Sequence, residues 1–227
     1  FSQTSRLQLQ IDNIDQYSRN ITLASARVNQ QSSVVGQAAN IATRLQELTL
    51  QGANDTLSAS DRKSIAIEMQ NLSDQLVDLG NTTDQNGEAI FGGFRAKAPV
   101  FTPDANGRVH YSGDNGVHEL QVGDGVIVQA GVDGTNSFMA VRTPGESNPR
   151  SAFDIVQDAI AMLKAGKSTS GSVNQVKAVV DHFSNVQTLA GSQLSRLDAQ
   201  KAVNDNAALT LKTTPVSYTH LTLPTIL

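Results

Sequence analysis

Large apolar residues recur every three or four positions along the first fifty residues. Those assigned to the helix-packing core are Leu7, Ile11, Ile14, Ile21, Val28 and Val35. This spacing places one apolar stripe along one side of an α-helix. The pattern continues from Ser5 to about Leu50 without a proline, which predicts a helix on the order of 70 Å long. Such a stripe must be covered by other long helices or by other subunits, and the Asn and Gln residues beside it predict a solvated face or a polar subunit contact.

A second helix is predicted over Ser60–Gly80, directly after a link that contains Gly and Asn. Ser58 and Asp61 have the spacing of a capping box, with Asp in place of the usual Glu. The apolar face of this helix consists of Ile65, Met69, Leu72, Leu76 and Leu79. Because the link is short, the two helices should form an antiparallel hairpin. The second helix is much shorter than the first, so part of the first stripe still needs a partner.

The missing partner is predicted near the end of the sequence. A short helical pattern over Phe153–Leu163 stops at Gly166, and a longer pattern runs from Val173 towards Leu211. The core positions assigned to the longer pattern are Val176, Val180, Phe183, Leu194 and Leu197. A long helix at each end of the sequence closes an antiparallel bundle.

The segment between the helical patterns has the character of a β structure. Asn86-Gly87 is a strong signal for a two-residue hairpin turn. Further turn signals follow at about ten-residue spacing, which is typical of a small antiparallel unit. The predicted strands between these turns are Arg108–Tyr111, Val117–Val122 and Val126–Ala130.

These elements predict an α+β fold that is mainly α: a long antiparallel helical bundle with a small inserted antiparallel β domain. We expect the bundle to comprise residues 1–95 and 147–212, and the insertion to comprise residues 96–146. Residues 213–227 carry two prolines and no helical period. We therefore expect a non-native or disordered tail there.

Composition and motif spacing exclude several classes of function. The formal net charge is −4 and no basic face emerges, which argues against general nucleic-acid binding. No apolar run approaches the roughly 18 residues needed to cross a bilayer. There is no cysteine, the four histidines lack metal-ligand spacing, and neither a phosphate loop nor a nucleophile motif occurs. We predict no catalytic residue, no metal and no cofactor.

The segment from Asn81 to Phe94 reads Asn-Thr-Thr-Asp-Gln-Asn-Gly-Glu-Ala-Ile-Phe-Gly-Gly-Phe. With the two long helices before it, this arrangement resembles bacterial flagellins and their relatives, and most specifically the hook-associated proteins of the hook–filament junction. The stretch Gly107–Asp114 resembles a strand and turn of the same family. The turn and strand residues that carry the resemblance are Asn86, Gly87, Phe91, Gly93, Phe94, Tyr111, Gly113 and Asp114. The family's terminal helices, which polymerise, have no counterpart here, so a fragment is expected.

The resemblance implies a non-enzymatic structural subunit at the junction between hook and filament. It implies assembly with copies of itself in a ring, contacts with a neighbouring hook-associated junction protein and with flagellin, and binding to a cytoplasmic export chaperone. It also implies an extracellular location, reached through the flagellar secretion apparatus, with neither nucleic acid nor membrane as a partner. The alternatives are a flagellin that forms the filament and, from a different class, a surface adhesin with a β binding module on a coiled stalk.

Overall fold

The two longest helices lie side by side in the computed structural model, which describes residues 2–95 and 97–221. Helix α1 is Ser2–Gly52 and helix α4 is Val173–Leu221. Gly52 lies against Thr169 and Gly36 lies against Gln187, so the two helices run antiparallel. This pair has the most extensive packing between elements of the structure.

Two shorter helices complete the bundle. Helix α2 is Ala59–Gly80 and helix α3 is Ala152–Lys164, and they pack on each other. The predicted capping box at the start of α2 is present: the Ser58 hydroxyl accepts from the Asp61 N–H at 3.1 Å, and the Asp61 carboxylate accepts from the Ser58 N–H at 3.2 Å. Both donors, which would otherwise lack a partner at the helix start, are satisfied.

The strands form two separate antiparallel hairpins. Strand β1, Phe101–Pro103, pairs with β2, Val109–Tyr111. Strand β3, Glu119–Gly123, pairs with β4, Val126–Gln129. The segment Thr135–Met139, which follows the second hairpin, is a π-helical turn that the sequence pattern does not predict. Together with the long helices, these hairpins confirm the predicted α+β class.

The inserted segment 96–146 contains all four strands, but it shares its buried side chains with the helices. The main core cluster includes Phe101 and Val109 of the first hairpin together with Met69, Phe153 and Phe183 of the helices. A second, smaller cluster joins the second hairpin to the long helices, and its buried members are Ile21, Ala24, Val122, Ala130 and Leu197. The insertion therefore packs along the bundle. Its assignment as a domain stays a prediction.

The predicted core residues are not equally covered. Those buried are Ile21, Val28, Val35, Ile65, Met69, Leu76, Val176, Phe183 and Leu197. Leu72, Leu79 and Val180 are partly buried against the main cluster. Leu7, Ile11, Ile14 and Leu194 are only partly buried. Tyr17 and Asn20 of α1 still contact Gln121 of β3, so the stripe loses its cover gradually towards the start of the helix.

Helix α4 extends into the segment 213–227, for which a non-native or disordered tail is expected. The helix continues to Leu221, so residues 213–221 are helical, while residues 222–227 lie outside the described part of the sequence. Adding residues to an existing helix requires no new nucleation step. That the segment is non-native stays a prediction.

Candidate functional site

The Asn86-Gly87 turn is a three-residue loop and not the two-residue turn that the sequence predicts. The N–H of Asp84 donates to the carbonyl of Glu88 at 2.8 Å, and the N–H of Gly87 donates to the carbonyl of Asp84 at 3.1 Å. The Asp84 carboxylate also accepts from the N–H groups of Asn86 and Glu88, which lowers its pKa. This side chain selects the longer loop because it satisfies two backbone donors inside it. Gly87, with φ of +80°, supplies the left-handed conformation at the end of the loop.

Asp114 connects two segments that are twenty residues apart. Its Oδ1 accepts from the Phe94 N–H and from the Gly116 N–H, both at 2.8 Å. These donors favour the charged carboxylate, so they lower the pKa of Asp114. Gly93 has φ of +71°, and any side chain there would overlap Asp114. The motif glycine is thus required both by its backbone conformation and by close approach.

Tyr111 holds the same two segments together from the inner side. Its hydroxyl lies 2.7 Å from the carbonyl oxygen of Phe91 and 2.9 Å from that of Asp114. Gly113 packs directly against the Tyr111 ring, where a Cβ would not fit. Burial raises the pKa of Tyr111 to about 12, so the hydroxyl stays protonated and able to donate. Six of the eight motif residues therefore belong to one fastening, a set of contacts that joins residues 91–94 to 111–116. They are Phe91, Gly93, Phe94 (through its N–H), Tyr111, Gly113 and Asp114.

Phe91 connects this fastening to the helices through a cluster of five phenylalanines. The ring centroids of Phe91 and Phe138 are 5.1 Å apart in an edge-to-face arrangement. Phe138 also contacts Phe153 of α3 at 5.6 Å and Phe183 of α4 at 5.4 Å, while Phe101 contacts Phe138 at 5.2 Å. Sequence reasoning missed the central member, Phe138, because it lies in the unpredicted π-helical turn.

Phe94 and Asn86 lie on the surface. The side chain of Phe94 is 64% exposed, although its ring packs edge-on to His118 at 5.2 Å between centroids. Asn86 is exposed at the loop tip. The motif therefore combines buried and partly buried residues that fix the fold with three exposed residues, Asn86, Gly87 and Phe94.

Amide side chains of the long helices bind backbone carbonyl groups of the segments that pack against them. Gln31 is 2% exposed, and its Nε2 donates to the Ile90 carbonyl at 2.6 Å. Asn204 of α4 donates to the Val122 carbonyl at 2.8 Å. The interpretation of the helix amides as a solvated face or a subunit contact is wrong for Gln31, because this amide lies in the interior.

Asn81 is a further amide contact that sequence reasoning missed. It follows the last residue of α2, where its Oδ1 accepts from the N–H groups of Val100 and Phe101 at 2.8 and 2.9 Å. Its Nδ2 donates to the Phe101 carbonyl at 2.7 Å. The side chain thus pairs with β1 as a neighbouring strand would. Asn81 is the first residue of the motif segment, so the sequence does point to it. Its partners, Val100 and Phe101, lie 19 and 20 residues further along the sequence.

The arrangement contains no obvious site for chemistry in the residues that the structure describes. Within them, no group of three His, Cys, Asp or Glu residues lies close enough to share a metal ion. None of the described helices combines the length and apolar character required to cross a membrane. What the cluster does physically is to hold two loops rigidly against a helical bundle.

Comparison with known proteins is consistent with this architecture. Residues 1–96 match the family model of the bacterial flagellin N-terminal helical region. Flagellar hook-associated protein 3 of Salmonella typhimurium is 30% identical over 212 residues, which cover 86% of this chain and 66% of that protein. Flagellin D of Vibrio anguillarum is 24% identical over 199 residues, covering 83% of the chain and 53% of that flagellin.

The crystal structure of flagellar hook-associated protein-3 from Legionella pneumophila shares the fold, with a TM-score of 0.86 at 18% identity, and the match covers 96% of this chain and 99% of that one. The chain belongs to the flagellin-like family of bacterial flagellar proteins. Within that family, the relatives that share 30% identity with it are flagellar hook-associated proteins 3. The chain spans 66% of the length of these relatives.

Proposed function

We propose that the chain is part of a structural subunit that forms the junction between the flagellar hook and filament. The observation that carries this proposal is the 30% identity to hook-associated protein 3 over 212 residues. The identity to Flagellin D is 24% over a similar length, which favours the junction protein over a filament flagellin. Similarity to flagellar proteins gives no support to the adhesin alternative.

The exposed side of the long helices suits assembly with other subunits. Four aliphatic side chains on α1 and α4 are between 59% and 64% exposed: Leu9, Leu23, Val203 and Leu209. Exposed aliphatic residues on a rod are covered at low cost when copies of the chain pack side by side. We propose that identical copies assemble in a ring, with a hook-associated junction protein on one side and flagellin on the other.

The remaining parts of the proposal concern how the subunit reaches its place. We propose an extracellular location in the flagellum, export through the flagellar secretion apparatus and a cytoplasmic chaperone that binds the subunit before export. A structural role of this kind requires neither catalysis nor a cofactor. The rigid fastening around Tyr111 and Asp114 would preserve the shape of the subunit within the assembly.

Deletion of the gene in the bacterium that carries it tests the proposal. We expect hooks without filaments in electron micrographs, with flagellin released into the culture medium. The full-length gene should restore filaments. Filaments of normal number after deletion would contradict the proposal. Loss of flagellin from both the cells and the medium would instead identify the chain as the filament protein.

A further inference from the structure

Strand β4 has an open edge. The N–H of Ala130 donates to the carbonyl of His118 at 2.8 Å, which marks these two residues as a hydrogen-bonded pair. Hydrogen-bonded and non-hydrogen-bonded pairs alternate along an antiparallel ladder. In the continuing register, the N–H and C=O groups of Ile127 and Gln129 therefore point away from β3. They form the outer edge of the hairpin.

The outer edges of β3 and β4 differ in the hydrogen bonds that they form. On the β3 side, the Asn20 side chain of α1 donates to the Gln121 carbonyl at 2.7 Å. On the β4 side, no group in the described residues forms a hydrogen bond with the main chain of Ile127 or Gln129. The helices thus cover one edge of the hairpin and leave the other edge open.

Strand β4 is short, with four residues, but it lacks the other features that usually protect an open edge. Natural edge strands carry charges, proline or a bulge, which prevent pairing with another strand. Strand β4 reads Val-Ile-Val-Gln, without a charge or a proline, and Ile127 is 58% exposed. The irregularity in the ladder lies on the opposite strand, between Gln121 and Gly123. An uncharged, β-branched edge is ready to accept a further strand.

A groove beside this edge has room for such a strand. One wall is β4 with the neighbouring Glu119, and the other is α4, where the lining residues are Leu189, Ser192, Gln193 and Arg196. Leu189 is 48% exposed. In an added strand, the residue opposite Val128 would point inward over α4, because side chains alternate between the faces of a sheet. An aliphatic side chain there would cover Leu189.

The groove carries one charge of each sign, from Glu119 and from Arg196, and Arg196 indicates where a carboxylate of the occupant would lie. No carboxylate of the described residues lies within 4 Å of its guanidinium group. A second copy could offer its own β4, but that strand has no carboxylate to place near Arg196. Charge complementarity therefore favours a different partner over self-pairing of two β4 edges.

We infer that the β4 edge binds an extended segment of a partner protein, which adds a third strand to the β3–β4 hairpin. The segment carries an aliphatic side chain towards Leu189 and a carboxylate towards Arg196. Main-chain hydrogen bonds to Ile127 and Gln129 hold it in place. The inference of this binding site is based on the geometry of the hairpin and does not depend on the proposed flagellar function.

Titration of the ¹⁵N-labelled chain with the acetylated, amidated hexapeptide Thr-Val-Thr-Val-Thr-Asp tests the inference by NMR. Saturable shifts of the Ile127 and Gln129 amide signals are expected. Ile127→Pro removes the edge donor without removing a hydrogen bond to β3, and should weaken binding at least about ten-fold. Ile127→Thr keeps the donor and the β-branched shape, so it should bind nearly as the parent does.

Leu189→Ser provides a second variant that leaves the hairpin backbone untouched and adds no charge, and it should also weaken binding about ten-fold. No saturable shift up to about 5 mM peptide would overturn the inference. Binding that survives both Ile127→Pro and Leu189→Ser would overturn it too. Shifts of the same amide signals that depend on protein concentration without peptide would show self-pairing in place of a partner.

Discussion

Gln31 and Val132 bind each other through both ends of one side-chain amide. The Nε2 of Gln31 donates to the Val132 carbonyl at 2.9 Å, while its Oε1 accepts from the Val132 N–H at 2.8 Å. The same Nε2 reaches the Ile90 carbonyl. One buried side chain of α1 therefore satisfies three backbone groups of two loops that lie 59 and 101 positions further along the sequence.

Replacement of Gln31 by Met should therefore destabilise the fold strongly. Met has nearly the same shape but leaves the Val132 N–H and two carbonyl groups buried without partners. The free energy of unfolding should fall by about 3 kcal/mol, because each unsatisfied buried group costs about 1–3 kcal/mol. Urea unfolding measures it. Gln37→Met, at an exposed position of the same helix, is the matched control and should change the free energy by less than about 0.5 kcal/mol.

Substitution of two motif glycines should distinguish the cost of backbone strain from the cost of a steric overlap. Gly87 and Gly93 both have positive φ, +80° and +71°, but the space beside Gly87 is open and that beside Gly93 is filled by Asp114. Gly87→Ala should lower the free energy of unfolding by about 1 kcal/mol, the cost of a left-handed residue with a Cβ. Gly93→Ala should cost at least about 2 kcal/mol more, because Asp114 must move. Equal thermal denaturation midpoints for the two variants would contradict the assigned contact.

Tyr111 should make the fold sensitive to alkaline pH. Its pKa is about 12 in the folded chain and 10.0 ordinarily, so the folded state favours the neutral hydroxyl. The resulting stability is fully present below pH 10 and is lost as the pH rises from 10 towards 12. Tyr111→Phe removes the hydrogen bond to the Phe91 carbonyl and should cost about 1 kcal/mol at neutral pH. Its unfolding free energy should then decline less steeply than that of the parent above pH 10.

His182 should produce a dependence on mildly acidic pH. Its Nε2 lies 3.1 Å from the Ser137 carbonyl, and burial lowers its pKa below the ordinary 6.5. Because the folded state favours the neutral ring, this contribution is present above about pH 6.5 and is lost as the pH falls below it. His182→Gln should flatten that part of the stability profile measured by urea unfolding.

The sequence pattern predicts those parts of the fold that depend on neighbouring residues. The stripe of α1, the capping box of Ser58 and Asp61 and the strand alternation all rest on interactions within a few positions. For the same reason, the positions of α1, α2 and α4 follow from periodicity. The pattern does not show where a helix leaves its partners, so Leu7 and Ile14 appear as core positions although they are only partly buried.

The contacts that fix the loops could not be derived from local pattern. Gln31, Asn81 and Asn204 bind carbonyl or N–H groups that lie between 19 and 101 positions away. An amide in a helix reads as solvent-facing until the loop that covers it is placed. The family resemblance located Tyr111 and Asp114, but their shared contact with the Phe91–Phe94 segment became visible only in the structure.

The pairing of α1 with α4 sets the order in which the molecule can fold. The Thr169 hydroxyl donates to the Thr49 carbonyl across 120 positions, and the phenylalanine cluster needs Phe183. Contacts of such high sequence separation carry a loop-closure cost and slow the search for the native state. The part of the first helix that packs on α4 cannot be covered until the last helix has been delivered. A chain released from its N-terminal end would thus be unable to complete the bundle until nearly all of it is free.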